Sequence, residues 1–347
     1  MAHLPVFLVL DKIYFCFMRI LILGGTVFLG RHLVDAALIA GHQVTTFRRG
    51  RERADLPKGV ATIIGDRRGD HAELRNQWDA VVDCSGYYPI HVASAAQHLA
   101  SHAEQYVFIS SVLQYADLSK PGTREDAPSA FGYLIGNPPL NELTYGPLKA
   151  MCEREVLRVF PGRATILRPG YLVGPRDRSE RFPTWVKRAS VGGIMLIPES
   201  GNRAWQLIDV RDLAAWIIVL IEKRLTGIFN VTGPDHRECA SDLIDRIASE
   251  AGGSPAIRRV DVNRLRSVGG KRWLDLADWA DPPPSLRGIY EVSIVQAKRA
   301  GLVFRPFEQT VRETLASLAN VPSSWPGSQS ALTEYLIQEA RVLRACN

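Results

Sequence analysis

The chain of 347 residues is poor in the features that staple a fold, bind a metal or cross a membrane. Its five cysteines, Cys16, Cys84, Cys152, Cys239 and Cys346, are odd in number and scattered. They form no CxxC pair and no Cys/His cluster. That argues against a disulfide framework and against a zinc site, and it fits a reducing, cytoplasmic setting with no bound metal. No apolar run reaches the roughly 20 residues of a membrane span. Charge of one sign is in small excess: the net charge of +6 permits affinity for anionic ligands without specifying any. No internal repeat is present. Histidine offers no catalytic candidate: His32, His42, His71, His91 and His102 are singly placed and read as structural or solvent-facing.

The first 17 residues, MAHLPVFLVLDKIYFCF, are apolar but lack a basic start and a small-residue cleavage site. Asp11 and Lys12 interrupt the run, so a signal peptide is not expected. Residues 1–17 are read as a non-native or disordered extension before a start at Met18. The alternative is a docking or membrane-touching segment.

What is present is an alternation. Ile20–Leu23, Val44–Phe47, Ala61–Ile64, Ala80–Asp83, Tyr106–Ile109 and Ala164–Leu167 read as short buried strands. Helical patterns fall between most of them, notably over Arg31–Ala40 and Gly146–Val159. Such alternation implies a parallel sheet covered on both faces. Ile208–Glu222 reads as a helix and Gly227–Val231 as a returning strand. Between Tyr171 and Asn202 the chain is rich in Gly, Pro and charge, and reads as a lid or substrate-side insertion. The expected organisation is a dinucleotide-binding domain over 18–170 plus about 206–235. A smaller substrate-binding lobe covers 171–205 and 236–320, and 321–347 forms a linker and a terminal helix. That helix, over Ala331–Ala345, has Leu332, Leu336, Ala340 and Leu343 near helical spacing.

Three signals carry chemistry. The first is Gly24-Gly25-Thr26-Val27-Phe28-Leu29-Gly30, between a strand and a helical pattern. Gly24 and Gly25 permit a tight turn with room for a pyrophosphate. Gly30 lets helix and strand pack closely, and the helix start offers N–H groups to phosphate. The second is Tyr145-Gly146-Pro147-Leu148-Lys149. Of ten tyrosines, only Tyr145 has a lysine four residues on, a spacing that puts both on one helix face. A nearby ammonium would lower the phenol's pKa from about 10. The third is Ser110-Ser111 closing a strand, where ligands sit in an open parallel sheet.

In this order, the signals resemble the extended short-chain dehydrogenase/reductase superfamily, its epimerase/dehydratase-like branch, from about Arg19 to about Leu315. Leu167-Arg168-Pro169-Gly170, Ile208-Asp209-Val210-Arg211-Asp212-Leu213 and Phe229-Asn230-Val231-Thr232-Gly233 resemble further stretches of that family. The resemblance implies a Rossmann-type doubly wound α/β fold. It implies an NAD(P)-dependent oxidoreductase or epimerase acting at a hydroxyl or carbonyl carbon of a sugar-like or other small molecule. Tyr145 would be the general acid/base, Lys149 its pKa tuner and ribose ligand, and Ser111 the substrate-hydroxyl partner. Ser111 is preferred to Ser110 because it lies four residues before Tyr115, as the family's Ser/Thr does. Cofactor contacts would come from Gly24 to Gly30, from Asp66 and Arg67, from Cys84, Ser85 and Gly86, from Lys149, and from Pro169 and Gly170. Dimers are usual in the family, so a homodimer is possible.

Departures matter as much. Where NAD-binding members end the second strand with a carboxylate, this chain has Arg48 and Arg49, followed by Arg51 and Arg53. Guanidinium groups suit a 2′-phosphate, so NADP(H) is favoured and NAD(H) remains possible. Val27 replaces a middle glycine, giving the pattern GGTxFLG. That pattern also resembles chloroplast stem-loop-binding proteins, described as RNA-binding, although the shared motifs are family-wide and nucleic acid is not the expected partner. A non-catalytic dinucleotide- or RNA-binding relative is the alternative reading. Tyr171 and Trp205 stand where nucleotide-sugar enzymes carry Asn and Arg, which argues against a nucleotide-sugar substrate, although Arg203 lies close by. Val112-Leu113 replaces the Asp-Glu pair of sugar dehydratases. The Pro/Gly-rich loop Asp117–Asn141 is expected to cover the substrate, with Phe131, Tyr133 and Leu134 lining the site or anchoring the loop. Asp212 is read as a helix cap.

Overall fold

The computed structural model describes residues 17–50, 56–131, 138–179, 181–199, 203–234, 236, 238–270, 273, 282–321 and 329–346. Residues 1–16, Arg51, Arg53, Tyr133 and Leu134 lie outside these.

Seven parallel strands form the main sheet: β1 (Arg19–Leu23), β2 (Gln43–Arg48), β3 (Ala61–Ile64), β4 (Trp78–Asp83), β5 (Ala103–Ile109), β6 (Ala164–Pro169) and, much later in the chain, β10 (Gly227–Val231). Their order is β3-β2-β1-β4-β5-β6-β10. The chain reverses direction of travel between β1 and β4, which pair Leu23 with Asp83 at their carboxyl ends. Such a switch point opens a crevice for a ligand.

The inner strands are rich in apolar residues because both faces are covered, whereas the edge strand β3, expected to be buried, is largely exposed, with neighbours on one side only. In β1, Ile20 and Ile22 enter one core, and Leu21 and Leu23 enter the other, the period-2 alternation of a strand. Helices α1 (Phe28–Ile39) and α5 (Val210–Glu222) cover the first face. On the opposite face lie α2 (Pro89–Leu99) and α3 (Glu142–Val159).

A separate apolar core holds the second lobe. It is built from β7 (Tyr171–Val173), α4 (Phe182–Val191), β8 (Ile194–Glu199), β9 (Leu207–Asp209), α6 (Ala240–Glu250), β11 (Ala256–Asp261), α7 (Val262–Ser267) and the terminal helix Gln329–Cys346. Of the two readings of 171–202, a lid or a substrate-side insertion, the lid does not fit residues 171–199, which build this core. Pro183 sits in the first turn of α4, where proline is tolerated, and Met195, Leu196 and Ile197 of β8 are buried. The Gly192-Gly193 turn and Pro198 disguised a short core strand as a loop.

Two smaller corrections concern helix faces. The cap of α5 is Asp209, which accepts the Arg211 backbone N–H at 2.8 Å; Asp212 lies within the first turn and binds Arg305. The buried face of the terminal helix is Leu332, Tyr335, Glu339 and Val342, whereas Ala340 is exposed. Glu339 belongs to that face because it pairs with buried Arg188 of α4 at 2.7 Å. No helix among the described residues is long and apolar enough to cross a membrane.

Candidate active site

The glycine turn leaves β1 at the switch point. Gly24 has φ +95°, in the left-handed region that a side chain disfavours. Gly30 packs so tightly that a Cβ there would stand 2.5 Å from the Gly24 carbonyl oxygen and 2.9 Å from the Gly25 Cα. Helix α1 begins at Phe28 with half-exposed Val27 as its N-cap, and Val27 supplies no side-chain hydrogen bond. Thr26 and Leu29 complete the turn. A cradle that a Cβ would fill, opening onto a helix start without a side-chain cap, fits the pyrophosphate of a dinucleotide. The ring of strand ends around it is shared: the Gly24 N–H bonds the Phe47 carbonyl at 3.0 Å, the residue before Arg48. Arg48 is half-buried and Arg49 exposed at the end of β2.

Asp66 is fixed by its neighbour. Its carboxylate accepts the Arg68 backbone N–H and side chain. Those bonds hold its pKa down at about 2. Arg67 turns the other way, under the strand ends. It makes a bidentate pair with Asp83 (2.8 Å to each oxygen) and reaches the Ser85 hydroxyl at 3.1 Å. Asp83 is fully buried and also accepts the Tyr106 hydroxyl at 2.9 Å. This cluster shapes the segment Cys84-Ser85-Gly86 that follows β4. The Cys84 thiol is raised by burial and inert. Gly170, just beyond Pro169, lies against Thr232.

The chemical groups come from α3 and the end of β5. Asn141 caps α3, accepting the Leu143 and Thr144 backbone N–H groups, and Thr144 returns a bond to the Asn141 N–H. That capping box places Tyr145 in the helix's second turn. Immediately after it, Gly146 lies against the backbone of the turn Val112–Gln114; a Cβ would stand 2.0 Å from the Leu113 carbonyl oxygen. This close approach brings Tyr145 beside Ser111, whose hydroxyl accepts the Leu113 backbone N–H at 3.2 Å and draws the phenol's pKa downward. Ser110 is excluded from that role because its hydroxyl is committed to Glu153.

Lys149, 3% exposed, donates to the Gly86 and Ile109 carbonyls, each at 2.8 Å. Its ammonium lies 4.8 Å from the Tyr87 ring centre and 5.8 Å from that of Tyr145. Burial drives its pKa down to about 8. Tyr145 is pushed up to about 12, first by burial and then by Tyr87, with Ser111 pulling downward. The expectation that Lys149 lowers the phenol's pKa is therefore not met in this geometry. The low-dielectric surroundings outweigh any help from an ammonium already bonded to two carbonyls.

Ser111, Tyr145 and Lys149 thus converge beside the glycine turn. Sequence reasoning missed Gly146, Tyr87 and Asp83. Tyr87 had a signal, a tyrosine four residues past a strand end. A 480 Å³ cavity elsewhere, lined by Gln206, His236, Glu238, Tyr290, Lys298 and Arg299 among others, includes none of the three. Tyr171 and Trp205 are buried in the second core, in an aromatic cluster with Trp185. Phe131 is 56% exposed and lies against Arg154, so it is not a buried anchor.

The model of one family, described as "NAD dependent epimerase/dehydratase family", matches residues 20–232. The chain belongs to that family. It is a nicotinamide-dinucleotide-dependent enzyme of the short-chain dehydrogenase/reductase type. Among curated proteins it is 28% identical over 277 residues to the chloroplast stem-loop binding protein of 41 kDa b of Arabidopsis thaliana, covering 73% of this chain and 68% of that one. It is 26% identical to the 2'-dehydrokanamycin reductase of Streptomyces kanamyceticus, covering 66% of each. The chain thus spans about two thirds of these relatives. Among solved structures it is similar to the enzyme WbmH of Bordetella bronchiseptica in complex with NAD+ (TM-score 0.64, 18% identity, 87% of this chain and 98% of that one). The dTDP-glucose 4,6-dehydratase of Bacillus anthracis, in complex with NAD, gives 0.65 at 18% identity, with 89% and 98% covered. At such identities the likeness speaks for the fold.

Proposed function

We propose that the chain catalyses NADP(H)-preferring oxidation, reduction or epimerisation at a hydroxyl or carbonyl carbon of a sugar-like or other small molecule. The observation that carries this reading is the convergence of Ser111, Tyr145 and Lys149 on one side of the glycine cradle. A nicotinamide cofactor bound there by Gly24–Gly30, Arg48 and Lys149 would supply or take the hydride. The chain's own residues handle the proton. Tyr145, protonated at neutral pH with its pKa near 12, is poised to donate to a carbonyl oxygen becoming an alkoxide. Ser111, beside the phenol, holds that oxygen. Lys149, one helical turn on, would hold the ribose hydroxyls of that cofactor. The Phe108 ring lies behind Lys149, 5.0 Å from its ammonium.

Arg48 and Arg49 support the phosphate preference, since a guanidinium pairs with a 2′-phosphate. The reductase relative supports a carbonyl-bearing substrate. Tyr171 and Trp205 themselves supply no cationic fork for a diphosphate, which supports a substrate other than a nucleotide sugar, although Arg181 and Arg203 lie over their rings at 4.1 and 5.0 Å. An epimerase regenerates its cofactor in each turnover and retains it, whereas a reductase must exchange it. The dinucleotide released on denaturing the purified protein therefore separates the two. Fluorescence titration should give tighter binding of NADPH than of NADH, and Arg48→Asp should reverse the order. Equal binding in both proteins would sink the phosphate assignment. Tyr145→Phe should lower turnover by 10²-fold or more with dinucleotide binding intact. The stem-loop binding relative motivates the second reading: salt-sensitive RNA affinity that survives Tyr145→Phe would favour it.

A further inference from the structure

Ser111 and Tyr145 stand on different elements, and a proton pair works only if something fixes the gap between them. Three residues of α3 at four-residue spacing, Tyr145, Lys149 and Glu153, each engage one of three consecutive residues at the end of β5. Lys149 donates to the Ile109 carbonyl at 2.8 Å. Glu153 accepts the Ser110 hydroxyl. Ser111 stands beside the Tyr145 phenol and draws its pKa downward. Of these links only the Ser110–Glu153 bond lies wholly outside the reacting groups.

Glu153 is itself immobilised. It is 3% exposed and accepts Arg168 Nε at 3.0 Å and Nη2 at 2.7 Å. Arg168, on β6, also donates Nη1 to the Tyr115 hydroxyl at 2.8 Å and to the Glu125 carbonyl at 2.9 Å. The Tyr115 hydroxyl donates to Asn230 on β10 at 2.6 Å. The Asn230 backbone N–H closes the network on Glu125 at 3.1 Å. A buried ion pair is weak evidence for stability, because apolar packing often serves as well. What apolar packing could not supply is a directional acceptor for Ser110.

We propose that Glu153, clamped by Arg168, is a positioning residue for the Ser111–Tyr145 pair: by binding the Ser110 hydroxyl it locks the end of β5 against α3. The proposal rests on the reading of Ser111 and Tyr145 as the proton-handling pair. Glu153 touches no reacting atom in it. Its effect passes through Ser110 to the next residue.

The test uses the full chain with 3-fluorotyrosine at position 145, whose ionisation is followed by its fluorine NMR shift. Ser111→Ala sets the scale. Loss of its downward pull should raise the fluorophenol's pKa by roughly half a unit or more. Ser110→Ala keeps Ser111 and the Glu153–Arg168 pair, yet should reproduce at least half of that rise, and Ser110→Thr should restore the original value. Should Ser110→Ala fail to fold, Ser110→Cys, with a weaker donor, is expected to give an intermediate rise. A rise with Ser111→Ala and none with either Ser110 variant overturns the positioning role and leaves the pair standing. No rise with Ser111→Ala overturns the pair, and the positioning role with it.

Discussion

Lys149 carries the clearest electrostatic consequence at the scale of one residue. Its ammonium is buried with two carbonyls and no carboxylate bonded to it, and burial brings its pKa down to about 8. In the unfolded chain the value is about 10.4. Below pH 8 both states carry the proton, and the folded state bears the full cost of the buried charge. Between about 8 and 10.4 the unfolded state holds more protons, so stability rises with pH across that window. Urea unfolding of wild type and Lys149→Met at pH 7 and pH 9.5 should show the difference moving in favour of wild type by about 2 kcal/mol. A pH-independent difference would mean the lysine is not strained. The importance of this residue was legible from its spacing to Tyr145, because four residues on a helix fix a shared face whatever the tertiary structure. Its effect on Tyr145 was not legible. Whether an ammonium or burial wins depends on what surrounds the phenol, and Tyr87 arrives from a different strand end. Glu153 was hidden for the same reason: i+8 on a helix says nothing until the facing strand is known.

Among elements, two helices are docked by glycines with separable duties. At Gly30 an added Cβ meets backbone of the glycine turn, and at Gly146 it meets the Leu113 carbonyl. Backbone cannot swing aside, so each substitution must move its helix, at about 1–3 kcal/mol. Gly30→Ala displaces α1 from the cradle and should weaken NADPH binding, read by cofactor fluorescence, at least tenfold. Gly146→Ala displaces α3 from the turn after β5. It should separate Tyr145 from Ser111 and lower turnover as far as Tyr145→Phe does, while NADPH binding falls less than in Gly30→Ala. Identical losses in both variants would show that the two docking contacts are not independent. Gly30 was readable because its motif sits between a strand and a helix. Gly146 was not, since its partner backbone is 33 residues upstream in a turn whose place is set by β5. The parallel strands themselves were legible from apolar runs of four to seven residues. The strand β8 was not: turn residues at both ends conceal a run whose burial comes from a lobe assembled out of distant segments.

For the whole molecule, the question is how the second core is held together when its pieces, 171–199, 240–267 and the terminal helix Gln329–Cys346, are so far apart in the chain. Apolar contacts alone do not fix the terminal helix's register, since Ile337 and Ala340 on other faces are also apolar and lie exposed. Glu339 does. One of its oxygens accepts Arg188 Nε at 2.7 Å and the other accepts the Leu196 backbone N–H at 2.9 Å, so it joins the terminal helix to α4 and β8 at one point. Burial raises its carboxyl pKa, with Arg188 opposing. Removing one partner of such a pair leaves a buried charge uncompensated, at a cost of about 3–5 kcal/mol. Glu339→Ala should therefore lower the unfolding free energy by that amount in urea. Glu339→Gln, which keeps an acceptor for Leu196, should cost less. If the helix were an accessory that packs through Leu332, Tyr335 and Val342 alone, both variants would unfold with the wild-type midpoint. Because the glycine cradle and α3 belong to the other cores, NADPH affinity below the transition should stay near wild type in both. A parallel loss of affinity would instead make the two cores a single cooperative unit.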